Sequence, residues 1–107
     1  MSIRFMRMLV FFDLPMETSQ EKREYTKFRK YLIKNGFVMM QKSVYCRLVT
    51  NANVSARIIE SIKLNKPKSA GFVQILCVTE AQYIKMVTVE GASKNNYIDT
   101  TDPVIII

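Results

Sequence analysis

The sequence has 107 residues, with 16 Lys and Arg against 9 Asp and Glu, a formal charge of +7, and neither His nor Trp. That length bounds one small domain, and the absence of His excludes Ser-His and Cys-His nucleophilic pairs, His acid/base chemistry and His-ligated metal sites. A hydrophobic content of 49% with only three Gly and three Pro describes a folded chain, not a linker.

Cys46 and Cys77 sit in apolar runs without C-x-x-C spacing, which predicts reduced core thiols in a cytoplasmic protein. The longest unbroken apolar stretch, Met8 to Phe12, is too short for a signal sequence or a membrane span, and Asp13 and Pro15 follow it. No membrane partner is expected. Residues 1–70 hold 14 Lys and Arg against 5 acids, whereas residues 71–107 hold 2 against 4. A cytoplasmic protein so charged attracts polyanions, nucleic acid first among them, and the first two thirds of the chain must supply that surface.

In chain order, Met6 to Leu14 is rich in large apolar and aromatic residues, ends at Pro15, and predicts a central strand apolar on both faces. Thr18-Ser19-Gln20-Glu21 has the capping-box form, and Tyr25, Phe28 and Leu32 repeat at helical spacing, with Gly36 at a left-handed C-terminal cap. A helix over about 18–35 follows. Phe37 to Gln41 and Val44 to Thr50 read as adjacent strands joined by Lys42-Ser43. Helical period returns from Asn53 with Val54, Ile58, Ile59 and Ile62 and ends near Pro67; Gly71 to Thr79 is again a strand. Tyr83 to Val89 is expected to add a further C-terminal strand, and Asp99 to Ile107 a polar turn leading into an apolar tail.

The order β-α-β-β-α-β is the ferredoxin-like α+β fold, an antiparallel sheet with both helices on one face. The strands at either end of that order are apolar on both sides, so the helix-free face is expected to be buried against a second copy in a two-fold homodimer. Residues 1–90 make the domain, and residues 91–107 a C-terminal extension suited to docking a partner.

Asp13, a carboxylate closing an apolar strand, is the strongest chemical candidate. One carboxylate is a poor metal site, but two copies facing across a two-fold axis offer a pair, and Mg²⁺ commonly uses one or two carboxylates while keeping waters. Arg23, Lys27, Lys30 and Lys34 form a stripe along one face of the first helix, whose only acids are Glu21 and Glu24. Lys63, Lys66 and Lys68 form a second cluster, and Lys42, Ser43 and Arg47 a third. Contacts from such residues to phosphates are sequence-independent and salt-sensitive. The helical spacing of Tyr25 and Phe28 marks core, the RNP1 pattern is missing, and no Walker A, dinucleotide-binding or nucleophile-elbow pattern occurs.

Met8 to Leu14 followed by a basic helix, then Gly36-Phe37 with Gln41-Lys42-Ser43-Val44-Tyr45, resembles the second of the two universal CRISPR-associated adaptation proteins. The apolar fourth strand with Thr79-Glu80-Ala81-Gln82-Tyr83 after it also fits, so the resemblance covers about residues 5–90, and the tail most resembles members from type II systems. The resemblance implies a homodimer flanked by two CRISPR integrase dimers that inserts spacer DNA into the repeat array. It also implies Mg²⁺-dependent endonuclease activity on RNA or DNA with Asp13 as metal ligand. The backbone of the prespacer duplex would run over Arg23, Lys27, Lys30, Lys34, Lys42, Arg47, Lys66 and Lys68, and the tail would dock the integrase.

Two classes of function follow. In a phosphodiesterase, Asp13 holds the metal, although the nearest other acid, Glu17, gives it little support; in a scaffold, the dimer is a charged ruler for duplex DNA and Asp13 only shapes the interface or the turn. A toxin-like messenger-RNA endonuclease of the same fold is the alternative.

Overall fold

Strand β1 (Met6–Asp13) carries alternate large apolar side chains to both faces, which only a central strand can bury. The computed structural model describes residues 5–91. After β1 come α1 (Ser19–Lys34), β2 (Val38–Gln41), β3 (Val44–Val49), α2 (Ala52–Leu64), β4 (Phe72–Thr79) and a short α3 (Glu80–Tyr83). The four strands form one sheet in the order β2-β3-β1-β4, antiparallel throughout. This is the expected ferredoxin-like arrangement, with β1 central: it pairs with β4 from Met6↔Thr79 to Asp13↔Phe72 and with β3 from Met6↔Val49 to Phe11↔Val44.

One face of the sheet carries the core. Met8, Val10 and Phe12 of β1 are buried beneath Tyr25, Phe28 and Leu32 of α1, with Ile62 of α2 and Tyr45 and Val49 of β3 completing the cluster. Phe12 is its aromatic hub, with ring centroids 5.2 Å from Phe28 edge-on and 5.6 Å from both Tyr25 and Tyr45.

Local chemistry sets the ends of α1. Thr18 accepts from the Glu21 backbone N–H at 3.0 Å, while the Glu21 carboxylate accepts from the Thr18 and Glu17 N–H groups at 3.0 and 2.9 Å. Those bonds hold the Glu21 carboxyl below the usual carboxylate range. At the other end Gly36 takes φ 91°, its N–H donates to the Ile33 carbonyl, and the N–H of buried Phe37 donates to the Leu32 carbonyl, closing a Schellman cap.

Two expectations are corrected. Tyr83 to Val89 is not a strand: Thr79 accepts from the Gln82 N–H at 3.0 Å and Gln82 returns the bond to the Thr79 N–H at 2.9 Å, so a second capping box turns the chain into α3, and residues 84–91 contain no strand. Nor is the second sheet face bare of helix, because α3 covers part of it. Glu80 pairs with Arg7 of β1 through both carboxylate oxygens (2.9 and 3.2 Å), and the Arg7 guanidinium lies 4.4 Å from the centre of the Tyr83 ring. The hydrogen bond to Glu80 raises the Arg7 pKa further, and burial pushes the Tyr83 phenol up. The expected apolar tail, Asp99 to Ile107, lies outside the described residues.

Both cysteines are free thiols, Cys46 buried and Cys77 half-buried. Cys46 pairs with Leu9 and Cys77 with Met8, so neighbouring β1 positions place them on opposite faces of the sheet, where they cannot join.

Candidate nucleic-acid interface

Topology sorts the candidate residues into two groups. β1 finishes at Asp13, and because its neighbours β3 and β4 run the other way, the β2–β3 turn and the loop before β4 arrive at the same end of the sheet. α1 also begins there. Asp13, Lys42, Arg23, Lys27, Lys66 and Lys68 therefore share one end of the molecule, whereas Lys34 and Arg47 lie toward the other. Lys34 lies eleven helical steps beyond Arg23, a rise of about 16 Å, so the stripe runs from one group to the other.

Asp13 is exposed, and the strand alternation turns it to the same sheet face as Leu9 and Phe11. Its backbone is tightly held. Gly71 takes φ +140° against it, and a Cβ there would stand 2.5 Å from the Asp13 carbonyl oxygen. The neighbouring Phe12 N–H donates to the Ser43 carbonyl at 3.1 Å, and buried Tyr25 donates its hydroxyl hydrogen to the Lys42 carbonyl at 2.9 Å. These bonds tie the β2–β3 turn, and Lys42 with it, to β1 and α1.

The α2–β4 loop is tied to α1 as well, because Glu24 accepts from the Lys68 backbone N–H at 3.3 Å. A narrow cleft of about 130 Å³ runs between them, lined by Lys27, Lys66 and Lys68 together with Leu64 and Pro67. The helix stripe and the loop cluster, separate in sequence, thus meet at Lys27. Farther round α1, Arg23, Lys27 and Lys30 border an open depression with Lys22. Lys63 stands apart from both, paired with Glu60 at 3.4 Å.

Arg47 is committed to the fold. Its Nη1 donates to the Asn35 carbonyl at 2.7 Å and its Nε to the Leu48 carbonyl at 3.1 Å, so it caps the C-terminal end of α1. The sequence reading missed the Arg7–Glu80–Tyr83 clamp, although Thr79-x-x-Gln82 has the same capping form as Thr18-x-x-Glu21.

For a metal, the chain offers little by itself. Among the described residues no three Cys, Asp or Glu side chains converge on one point, and Asp13 is a single exposed carboxylate.

A family model described as CRISPR associated protein Cas2 matches residues 6–86, which takes in the whole sheet and all three helices. The chain belongs to the Cas2 family. It is 48% identical to the CRISPR-associated endoribonuclease Cas2 of Treponema denticola over 95% of this chain and the whole of that relative. It is 42% identical to the protein of that name from Streptococcus mutans serotype c (strain UA159), over 80% of this chain and 78% of the relative. The corresponding figure for Lacticaseibacillus rhamnosus is 40%, over 95% of this chain and all of the relative. In this Cas2 chain, Asp13, all the basic candidates and the Arg7–Glu80–Tyr83 clamp fall inside the matched span. No helix among the described residues is long and apolar enough to cross a membrane.

Proposed function

We propose that this protein is a CRISPR adaptation subunit that homodimerises through the sheet face opposite α1 and α2, binds prespacer duplex DNA on its basic surface and joins the CRISPR integrase. The observation that carries the reading is the convergence of Arg23, Lys27, Lys42, Lys66 and Lys68 at the end of the sheet where Asp13 closes β1. Flexible, exposed lysines suit sequence-independent contacts to phosphates, and a scaffold for many different spacers needs contacts of that kind. Lys34 extends the track along α1, while Arg47, tied to two carbonyls, serves it mainly by holding the α1–β2 turn.

The dimer reading rests on the second sheet face. Phe11, Val38, Leu48, Phe72 and Leu76 share it and are exposed, Phe72 at 68% and Leu76 at 51%, an apolar surface that a monomer rarely leaves in water. Leu76→Lys is expected to turn dimer into monomer in sedimentation velocity without loss of helix content; an unchanged sedimentation coefficient would refute this interface. Residues 91–107 are assigned to docking the integrase.

A second reading, phosphodiester cleavage, is favoured by the name endoribonuclease carried by the relatives. The residues fit Mg²⁺ only in pairs, since one chain supplies one Asp13 and two copies supply two. Held there, Mg²⁺ would lower the pKa of a water and offset charge on the phosphodiester. The chain's own part is to keep Asp13 exposed beside lysines that draw the nucleic-acid backbone in. A toxin-like messenger-RNA endonuclease would use the same groups on RNA.

One experiment separates these readings: spacer integration by the cognate integrase alone, with this protein, and with its Asp13→Ala variant, in Mg²⁺ on a supercoiled target bearing the repeat. Equal stimulation by both versions is expected of a scaffold with a structural Asp13. Stimulation by the unsubstituted protein alone would assign metal chemistry to Asp13, and stimulation by neither would overturn the adaptation reading in favour of the messenger-RNA endonuclease.

A further inference from the structure

Far from Asp13, where α1 ends and α2 begins, the two helices and β3 border an open cleft of about 270 Å³. Arg47, Arg57, Tyr31, Ser61, Phe37 and Ile58 line it. Two guanidinium groups border the cleft, and no acidic side chain does. The one acid on α2, Glu60, is engaged by Lys63 at 3.4 Å. Arg57 itself makes no ion pair among the described residues.

The two arginines differ in a useful way. Arg47 is held by its bonds to Asn35 and Leu48, so its guanidinium is ordered before any ligand arrives. Its charge also offsets the carbonyl end of α1, which would otherwise repel an anion. Arg57, exposed on the first half of α2, is then the uncompensated fork, and forks of this kind bind phosphate oxygens in pairs. Tyr31 and Ser61 hydrogen-bond to each other through their hydroxyls across the gap between the helices, offering donors and acceptors beside the apolar Val54 and Ile58.

Size narrows the ligand. The cleft is open to solvent, and its volume of about 270 Å³ is room for a phosphate with its sugar, the remainder of any strand lying outside it. We propose that this cleft binds a phosphate monoester, carried either by a free nucleoside monophosphate or by the phosphorylated end of a nucleic-acid strand. The site is independent of the lysine surface at the other end of the sheet, and Lys27→Ala or Lys66→Ala leaves it intact.

The test is an NMR titration of the full chain with adenosine 5′-monophosphate, with adenosine, and with a short single-stranded oligonucleotide with and without a 5′-phosphate. The amides of Asn35, Val54 and Ser61 are expected to shift saturably with the phosphorylated probes and not with adenosine. Arg57→Ala, a surface change that keeps the dispersed spectrum of the folded chain, is expected to weaken binding at least about tenfold, the scale of one lost charge-assisted contact. Arg57→Lys should fall between, because it restores charge without the fork. Saturation by the mononucleotide identifies a free nucleotide as the ligand, and saturation only by the phosphorylated strand identifies a strand end. Equal shifts with adenosine, shifts confined to Lys22–Lys30, or undiminished binding by Arg57→Ala would overturn the proposal.

Discussion

Gly71 shows how a single backbone position secures the candidate site. Its φ of +140° is open to glycine at little cost, and a Cβ on this residue would come within 2.5 Å of the Asp13 carbonyl oxygen, which leaves no room for a side chain. Gly71→Ala is therefore expected to cost about 1–3 kcal/mol, read as a lowered denaturation midpoint with an unchanged m-value. A variant as stable as the parent would show that this approach relaxes freely. Thr18 and Glu21 act in a similarly local way, each satisfying an N–H that the start of α1 would otherwise leave open. Because these bonds lower the Glu21 pKa in the folded state, their contribution is present above the usual carboxylate range and fades as pH falls through the lowered value.

At the scale of elements, α3 is the piece that reshapes the expected picture. Four residues make a helix too short to persist alone, so its position depends on the Thr79–Gln82 capping box and on the clamp from Glu80 to Arg7. Both partners of the clamp retain some solvent exposure, which keeps its worth near that of a good surface pair. Glu80→Ala is expected to cost about 1 kcal/mol and to speed amide hydrogen exchange in residues 80–86 selectively. Exchange that rises equally through β1 would mean instead that α3 and the sheet open as one unit.

For the whole molecule, charge is arranged by topology and not by local sequence. Lys27 in α1 and Lys66 and Lys68 in the loop after α2 are about forty positions apart, yet they line one cleft because α2 returns the chain to the end where α1 begins. Lys27→Ala combined with Lys66→Ala is expected to weaken duplex DNA binding uniformly across sequences and to reduce the slope of log K against log salt by about two, one for each phosphate contact. An unchanged slope would place the duplex elsewhere on the protein.

Much of this architecture was legible in the amino-acid order. The capping box at Thr18, the Tyr25-Phe28-Leu32 stripe, Gly36 after the helix and the apolar strands ending at Asp13 and Thr79 are local signals, and local hydrogen bonding and burial act on them directly. The family resemblance rested on the same residues. Apart from the local Thr79–Gln82 cap, what sequence reading missed depends on partners distant in the chain. Tyr83 to Val89 has the composition of a strand, but the Thr79–Gln82 cap and the reach of Glu80 to Arg7, 73 positions away, turn its start into a helix. Arg47 reads as one more surface cation until the fold brings the Asn35 carbonyl to its guanidinium, and Arg57 meets Tyr31 and Ser61 only where α1, α2 and β3 border one cleft. Periodicity and capping chemistry thus determined the elements and their order; which charges are spent on the fold and which remain for a ligand was decided only when tertiary packing set their neighbours.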